Sequence, residues 1–243
     1  MQQDSHSNRP FSDHTKPEHW FRQGAAASWP ICLGYFPVGL AFGALAQQAG
    51  LPVWAVGLMS ILVFAGSAQF IALAMLTTGA GIVSIILTTM VVNLRHALMS
   101  SSLAVYLQGV NRWFLALFAY GITDESFAVN ISRFRNEDWG RWQALAVNHL
   151  SNCAWVAATL CGSLIGQFIP QGTLGMDYAM TGMFISLVGS QLQNRISILT
   201  GLLAGLISIA WYLLIPGDSY IIGASVGGAT MGYFIKRRTR NRI

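Results

Sequence analysis

The sequence predicts an all-α fold, a polytopic integral membrane bundle of about seven to eight spanning helices. Hydrophobic residues make up 53% of the chain, charged residues only 9%, and the mean hydropathy is +0.50. Soluble domains carry roughly 25% charged residues, so a soluble chain of 243 residues would leave too much apolar surface in water. The basic residues also collect in the polar gaps between apolar segments, which is the pattern of membrane topology rather than of nucleic-acid binding.

Eight apolar segments follow one another, and about 20 residues suffice for one helix to cross a bilayer. Their approximate ranges are 28–49, 53–77, 82–107, 113–131, 143–168, 178–193, 197–215 and 219–235. The sixth segment is short and the fourth contains carboxylates, so either could be a broken or re-entrant helix. Together they form one integral membrane domain, 28–235, between a polar tail at 1–27, predicted to be disordered, and a basic tail at 236–243.

The distribution of cations predicts the orientation. If the N-terminus is cytoplasmic and the segments alternate, the outer side holds only Arg112, and Arg95 lies within a segment. The other 12 of the 14 Lys and Arg residues then face the cytoplasm, as the positive-inside rule requires. Both termini are therefore predicted to be cytoplasmic, in the cell (inner) membrane.

The first segment is interrupted by Pro37 and Gly39. Proline removes a backbone donor and frees a carbonyl, which must be satisfied by protein or line a cavity. A packing kink and a substrate-binding role for Pro37 are both open. Glycines spaced four apart also suit close helix contacts, and they occur at 39/43, 162/166, 201/205, 223/227 and 228/232.

The second segment contains FAGSAQF (64–70), in which small residues precede the polar Gln69. Small residues let helices approach closely. The alternative is an unwound stretch within 64–70 whose backbone contacts substrate. Shifting the sequence by 87 residues aligns Gly34-x-x-Pro37 with Gly121-x-x-Asp124, which suggests a 3+3 inverted repeat.

The third segment carries Asn93, Arg95 and His96 in the middle of an apolar run. A guanidinium near the bilayer centre costs roughly 2.5–3.5 kcal/mol on insertion scales, so it is expected to face a partner, a cavity or a substrate. Arg95 lies too far from either end of 82–107 to reach an interface by snorkelling. His96 could carry protons near neutral pH or serve as a hydrogen-bonded structural residue.

The fourth segment carries Asp124 and Glu125. Adjacent helical residues diverge by about 100°, so the two carboxylates are not expected to share one face. Thr123 or Asp124 could cap a helix N-terminus. Alternatively, either carboxylate could pair with Arg95, bind a substrate ammonium or carry a proton.

Several other functions lack a motif in the sequence. The three cysteines, Cys32, Cys153 and Cys161, form no Cys-x-x-Cys pair, so neither a disulfide framework nor a metal site is predicted. The chain has no phosphate-binding loop of the Walker type and no hydrolase nucleophile motif. We therefore predict that the protein is not an enzyme and uses no cofactor.

The assembled motifs resemble the AzlC family (the BrnF and YgaZ group), the large subunits of two-component branched-chain amino-acid exporters. The resemblance covers roughly residues 28–235. The matching elements are GYFPVGLAFGALA (34–46), AGLPVWAVGLMSILVFAGSAQF (49–70), VVNLRHALMSSSL (91–103), ITDESFAV (122–129) and GMDYAMTGMFISL (175–187). Family members often have Pro-Phe-Gly where this chain has Pro37-Val38-Gly39, an apolar exchange.

The resemblance implies export of valine-like amino acids, possibly with methionine, together with a small AzlD-type membrane subunit of about four spans. A zwitterion needs a cation for its carboxylate and an anion for its ammonium. The candidate substrate-binding residues are Arg95, Asn93, Asp124, Gln69, Phe64, Gly66 and Pro37, and the candidate proton carriers are Glu125, Asp124 and His96. The main alternative is a non-transporting scaffold subunit of a membrane complex, and a membrane-embedded enzyme is a weaker third.

Overall fold

The computed structural model describes residues 17–136, 139–168 and 195–214 continuously, with isolated positions between Tyr178 and Arg237. Within these ranges the chain is helical and has no strand, which confirms the predicted helical membrane fold. The helices are α1 (Pro17–Gln48), α2 (Val53–Val63), α3 (Gly66–Thr77), α4 (Ile82–Ala104), α5 (Arg112–Tyr120), α6 (Asp124–Asn136), α7 (Arg141–Gly166) and α8 (Arg195–Leu214).

Three stretches of the described chain are long and apolar enough to cross a membrane: His19–Gln48, Ile82–Ala104 and Ser197–Leu214. The short helices α2 and α3 are also apolar. The predicted sixth and eighth segments, 178–193 and 219–235, lie largely outside the described residues. The number of spans therefore stays a prediction.

Two of the predicted segments are discontinuous helices. The second consists of α2 and α3, with lengths of about 16 and 18 Å at 1.5 Å per residue. The fourth consists of α5 and α6, with lengths of about 14 and 20 Å. Because the apolar core of a bilayer is about 30 Å thick, each pair is long enough for one span with its break near the middle.

The first break depends on the backbone of Phe64, which is left-handed at φ 39° and ψ 47°. This conformation costs an ordinary residue roughly 1–2 kcal/mol. The Phe64 side chain is buried in a cluster with Phe42, Phe70 and Trp155, and this burial offsets the cost. The carbonyl of Ile61, freed by the end of α2, accepts a hydrogen bond from the hydroxyl of Tyr120 at the end of α5.

The second break has a different cause. A Cβ at Gly121 would lie only 2.8 Å from the Cβ of Asn148 in α7, so the close approach of α7 requires glycine. Thr123 then starts α6 by a reciprocal cap, because its amide donates to the Ser126 hydroxyl (2.9 Å) and its hydroxyl accepts from the Ser126 amide (3.3 Å). The freed carbonyl of Phe118 accepts from the side-chain amide of Asn148 at 3.0 Å.

Among the described helices, α1 and α7 form the most extensive contact, and they run in the same direction. A Cβ at Gly43 would lie 2.0 Å from the carbonyl oxygen of Thr159, and one at Gly162 would lie 2.2 Å from that of Leu40. The glycine pairs 39/43 and 162/166 therefore face each other and allow the two backbones to touch.

Residues 17–27 correct one expectation, since they belong to α1 and not to a disordered tail. Contacts with α7 hold them in place. Gly24 lies against Ala146, the side chain of Gln143 donates to that of Gln23 at 3.1 Å, and the rings of Trp20 and Trp142 are 5.8 Å apart. Sequence polarity indicated solvent exposure here, but the helix continues because α7 packs along it.

The inverted repeat also stays a prediction, and the breaks themselves do not follow its register. A shift of 87 residues carries the break at Gly121 onto Gly34, inside the continuous helix α1. It carries the break at Phe64 onto Ser151, inside the continuous helix α7.

Candidate functional site: a charged cavity between two helix breaks

A cavity of about 270 Å³ lies where both helix breaks face α1, α4 and α7. Discontinuous helices place backbone ends and polar side chains inside a bundle, where continuous helices would present only side chains. The lining residues are Pro30, Ile31, Gly34, Tyr35, Val38, Phe64, Ala65, Gly66, Ser67, Arg95, His96, Thr123, Asp124, Glu125 and Trp155.

Arg95 is the cation of this cavity. One guanidinium nitrogen lies 2.6 Å from a carboxylate oxygen of Asp124, and the other lies 2.5 Å from the hydroxyl of Ser67. The guanidinium Nε is buried and has no hydrogen-bond partner among the described residues. Arg95 thus joins α4 to the first turns of α3 and α6 and keeps a donor available.

The second carboxylate, that of Glu125, points from α6 toward α1. The hydroxyl of Tyr35 donates to Glu125 at 2.6 Å and lies 2.7 Å from the hydroxyl of Thr123. Asp124 and Glu125 therefore diverge as expected, one toward α4 and one toward α1, yet both line the same cavity. Their position in the first turn of α6 is favourable because a helix N-terminus stabilises negative charge.

His96 has a structural contact as well as a cavity position. Its Nδ1 donates to the carbonyl of Ile122 at 2.9 Å, within the break between α5 and α6. Its Nε2 is buried and makes no hydrogen bond within the described part of the chain. Nδ1 therefore stabilises the break between α5 and α6, while Nε2 has no hydrogen-bond partner among the described residues.

The N-terminus of α3 lies at the same cavity. Its N-cap residue, Ala65, provides no side-chain cap. The first amides of a helix have no partner within the helix, and they attract anions. Ala65, Gly66 and Ser67 line the cavity beside Arg95, so this region combines a positive helix end with a guanidinium.

The remaining wall is apolar and comes mainly from α1, Phe64 and Trp155. The indole of Trp155 donates to the side-chain oxygen of Gln69 at 2.9 Å, and Gln69 in turn donates to Ser60 at 3.1 Å. Thr159 donates to Ser60 at 2.9 Å. This buried network fixes the indole plane that forms one side of the cavity.

The structure brings together most of the residues predicted from sequence. Lining the cavity are Arg95, Asp124, Glu125, His96, Phe64 and Gly66. Three others do not line it. Gln69 is fully buried behind Trp155, Pro37 is exposed on another face of α1, and Asn93 has a buried side-chain oxygen outside the cavity. Phe70, the last residue of FAGSAQF, is buried against Phe42 and does not line the cavity either.

Nine lining residues were not predicted to belong to the site, and four of them have polar or aromatic side chains: Tyr35, Ser67, Thr123 and Trp155. Aromatic residues within apolar segments have the same pattern as ordinary core residues, so Tyr35 and Trp155 gave no separate signal. Ser67 and Thr123 lie beside predicted residues, and only the helix breaks turn them toward the cavity.

Comparisons with known proteins cover the whole cavity. The family described as AzlC protein matches residues 30–169, which include every lining residue. The chain is similar to the branched-chain amino acid transport protein AzlC of Bacillus subtilis (strain 168), at 32% identity over 84% of this chain and 80% of that protein. It is also similar to the inner membrane protein YgaZ of Escherichia coli (strain K12), at 30% identity over 76% and 80% of the two chains.

A third relative is an uncharacterized membrane protein of Archaeoglobus fulgidus, at 31% identity over 86% of this chain and 92% of that protein. No solved structure matches the chain.

Proposed function

The chain belongs to the AzlC family of membrane proteins, and from that premise we propose that it moves branched-chain amino acids out of the cell as a secondary transporter. The Bacillus subtilis relative is named for branched-chain amino acid transport. The observation that carries the proposal for this chain is the Arg95–Asp124 ion pair, 2.6 Å long, inside a small cavity with one apolar wall.

A zwitterion can enter such an ion pair without leaving any charge unpaired. The carboxylate of the substrate binds Arg95 and the N-terminus of α3, while its ammonium binds Asp124 and Glu125. Each group of the protein exchanges one partner for another, so the desolvation cost of a separated charge is avoided. The aliphatic side chain then lies against the apolar wall.

The size of the cavity supports a small substrate. Its volume of about 270 Å³ is below the roughly 300–1,000 Å³ of pockets for drug-sized ligands. One amino acid of moderate size fits this space.

The charges that surround the substrate support the proposed proton coupling. Arg95 contributes one positive charge, and Asp124 and Glu125 contribute two negative charges, so the formal balance of these three is −1. A neutral zwitterion leaves that balance unchanged, whereas one proton cancels it. Asp124, Glu125 and His96 are the candidate carriers.

The proposal includes a small AzlD-type partner of about four spans. It also places both termini of this chain in the cytoplasm. The partner rests on the family resemblance. The orientation rests on the cation distribution. The alternation of crossings that it assumes agrees with the parallel packing of α1 and α7, because three crossings between them leave both running the same way.

The test is efflux of labelled valine from loaded vesicles that contain the protein with its small subunit. We expect Arg95→Gln to lower the efflux rate by about 10-fold or more, because a hydrogen bond to a charged group contributes roughly 1.5–3 kcal/mol. Arg112→Gln, at the exposed start of α5, is the matched control and should retain the rate of the wild type. An acidic exterior should accelerate efflux if protons enter as the amino acid leaves.

The same variants separate the alternatives. If the chain is a scaffold subunit, the wild type should transport no valine. Arg95→Gln should then weaken assembly of the complex, and gel filtration detects that loss. Full-rate efflux by a correctly assembled Arg95→Gln protein would overturn the proposed role of the ion pair.

A further inference from the structure

Two glycines line the cavity, and their surroundings differ. A Cβ built on Gly66 would lie 3.1 and 3.3 Å from two carbons of the Trp155 indole, so packing favours glycine there. A Cβ built on Gly34 would meet no heavy atom of the described residues within 4 Å. The space beside Gly34 is therefore open, although the residue lies on a wall of the cavity.

The position of Gly34 on α1 directs that open space toward the substrate. Gly34 lies one helical turn from Pro30 and one turn from Val38, and both of these residues also line the cavity. A side chain at residue 34 would therefore occupy the same face as theirs.

The backbone does not require glycine at this position. Gly34 lies inside the continuous helix α1 and lacks a positive φ. Glycine inside a helix is less favourable than alanine. Neither backbone geometry nor packing against the described residues accounts for it, and its effect on the cavity is to leave room.

We propose that Gly34 sets the upper size limit of the transported amino acid, by leaving space for the branched end of its side chain between Pro30 and Val38. This inference rests on the proposed function. Arg95, Asp124 and Glu125 come from α4 and α6 and hold the charged groups of the substrate. The side chain must then extend along the apolar wall to which α1 contributes, and Gly34 is the gap in that wall.

The test compares transport of labelled alanine, valine and leucine by the full chain with its small subunit in vesicles. We expect Gly34→Val, which adds three carbons, to lower kcat/KM for leucine by at least the roughly 10-fold to 200-fold effect of one surplus methylene in an apolar pocket. The value for alanine should change little. Gly34→Ala should have a smaller effect, again larger for leucine than for alanine. This variant keeps the test valid if Gly34→Val assembles poorly.

Gly205→Val is the matched control, because Gly205 lies inside α8 and a Cβ there also meets no described atom within 4 Å. It should leave the preference unchanged. If the wild type transports leucine and both Gly34 variants keep its leucine-to-alanine ratio, the size limit lies elsewhere and the inference is wrong while the proposed function stands. If the wild type transports none of the three amino acids, the proposed function fails and the inference falls with it.

Discussion

Tyr35 connects α1 to the first turn of α6 through a single hydroxyl. It donates to Glu125 at 2.6 Å and contacts Thr123, the residue that caps α6. Its ring packs edge-on against Trp155, with ring centroids 5.4 Å apart. The hydroxyl thus fixes the direction of one carboxylate, while the ring contributes to the cavity wall independently.

We expect Tyr35→Phe to keep the fold and to lower kcat/KM for valine transport by about tenfold. The ring contact remains, but Glu125 loses a hydrogen bond of the charged type, which contributes roughly 1.5–3 kcal/mol. Transport kinetics in vesicles measure this effect. Tyr106→Phe is the control, since the Tyr106 ring stacks on Phe134, 5.1 Å away and outside the cavity. Equal kinetics for both variants would contradict the role of Tyr35.

At the scale of single residues, the sequence identified the charged residues of the cavity more successfully than its uncharged polar residues. Arg95 and Asp124 were identifiable because an ion in an apolar run needs a partner. Gln69 carried the same kind of signal and was placed among substrate-binding residues, yet its amide is used by Trp155 and Ser60. Polarity alone does not distinguish a residue that faces a cavity from one that completes a buried network.

Discontinuous helices and glycine contacts determine the architecture at the scale of elements. Small residues around Gly66 and carboxylates after Gly121 indicated possible breaks, and the structure has a break at each place. The left-handed Phe64 was not predictable, because phenylalanine has no local preference for that conformation. The burial of the Phe64 side chain in the folded protein stabilises this backbone conformation.

Because the backbones of α1 and α7 touch, we expect one added methyl group between them to destabilise the protein strongly. Gly43→Ala places a Cβ 2.0 Å from a backbone oxygen, which cannot move as a flexible side chain could. We expect destabilisation of about 3 kcal/mol, and a melting temperature lower by about 10 °C in a detergent melt. Gly205→Ala should leave the melting temperature unchanged or slightly higher. A normal melting temperature for Gly43→Ala would show that the two helices separate more easily than their packing implies.

Two independent features bear on the topology of the whole molecule. The cation distribution predicts that both termini are cytoplasmic, and the parallel α1 and α7 require an odd number of crossings between them. The pairs α2–α3 and α5–α6, each counted as one crossing, together with α4, give that number. Hydropathy predicted these segments well, because apolar length is imposed by the bilayer and not by neighbouring residues.

Labelling by a membrane-impermeant maleimide tests the orientation in intact cells. In a background without Cys32, Cys153 and Cys161, Ala49→Cys and Gln108→Cys should react from outside. Thr78→Cys and Asn136→Cys should react only after permeabilisation. All four positions are exposed ends or turns in the structure. Labelling of Thr78→Cys in intact cells would reverse or reject the proposed topology.

The hydrogen bond from Tyr120 to the carbonyl of Ile61 joins the two discontinuous helices at their broken ends. Asn152 of α7 donates to the same hydroxyl at 3.3 Å. A rotation of α5 about Gly121 therefore has to displace the end of α2 as well, or break this bond. The Tyr120 hydroxyl thus couples both half-helix pairs to α7, and we expect a displacement of one pair to be transmitted to the other.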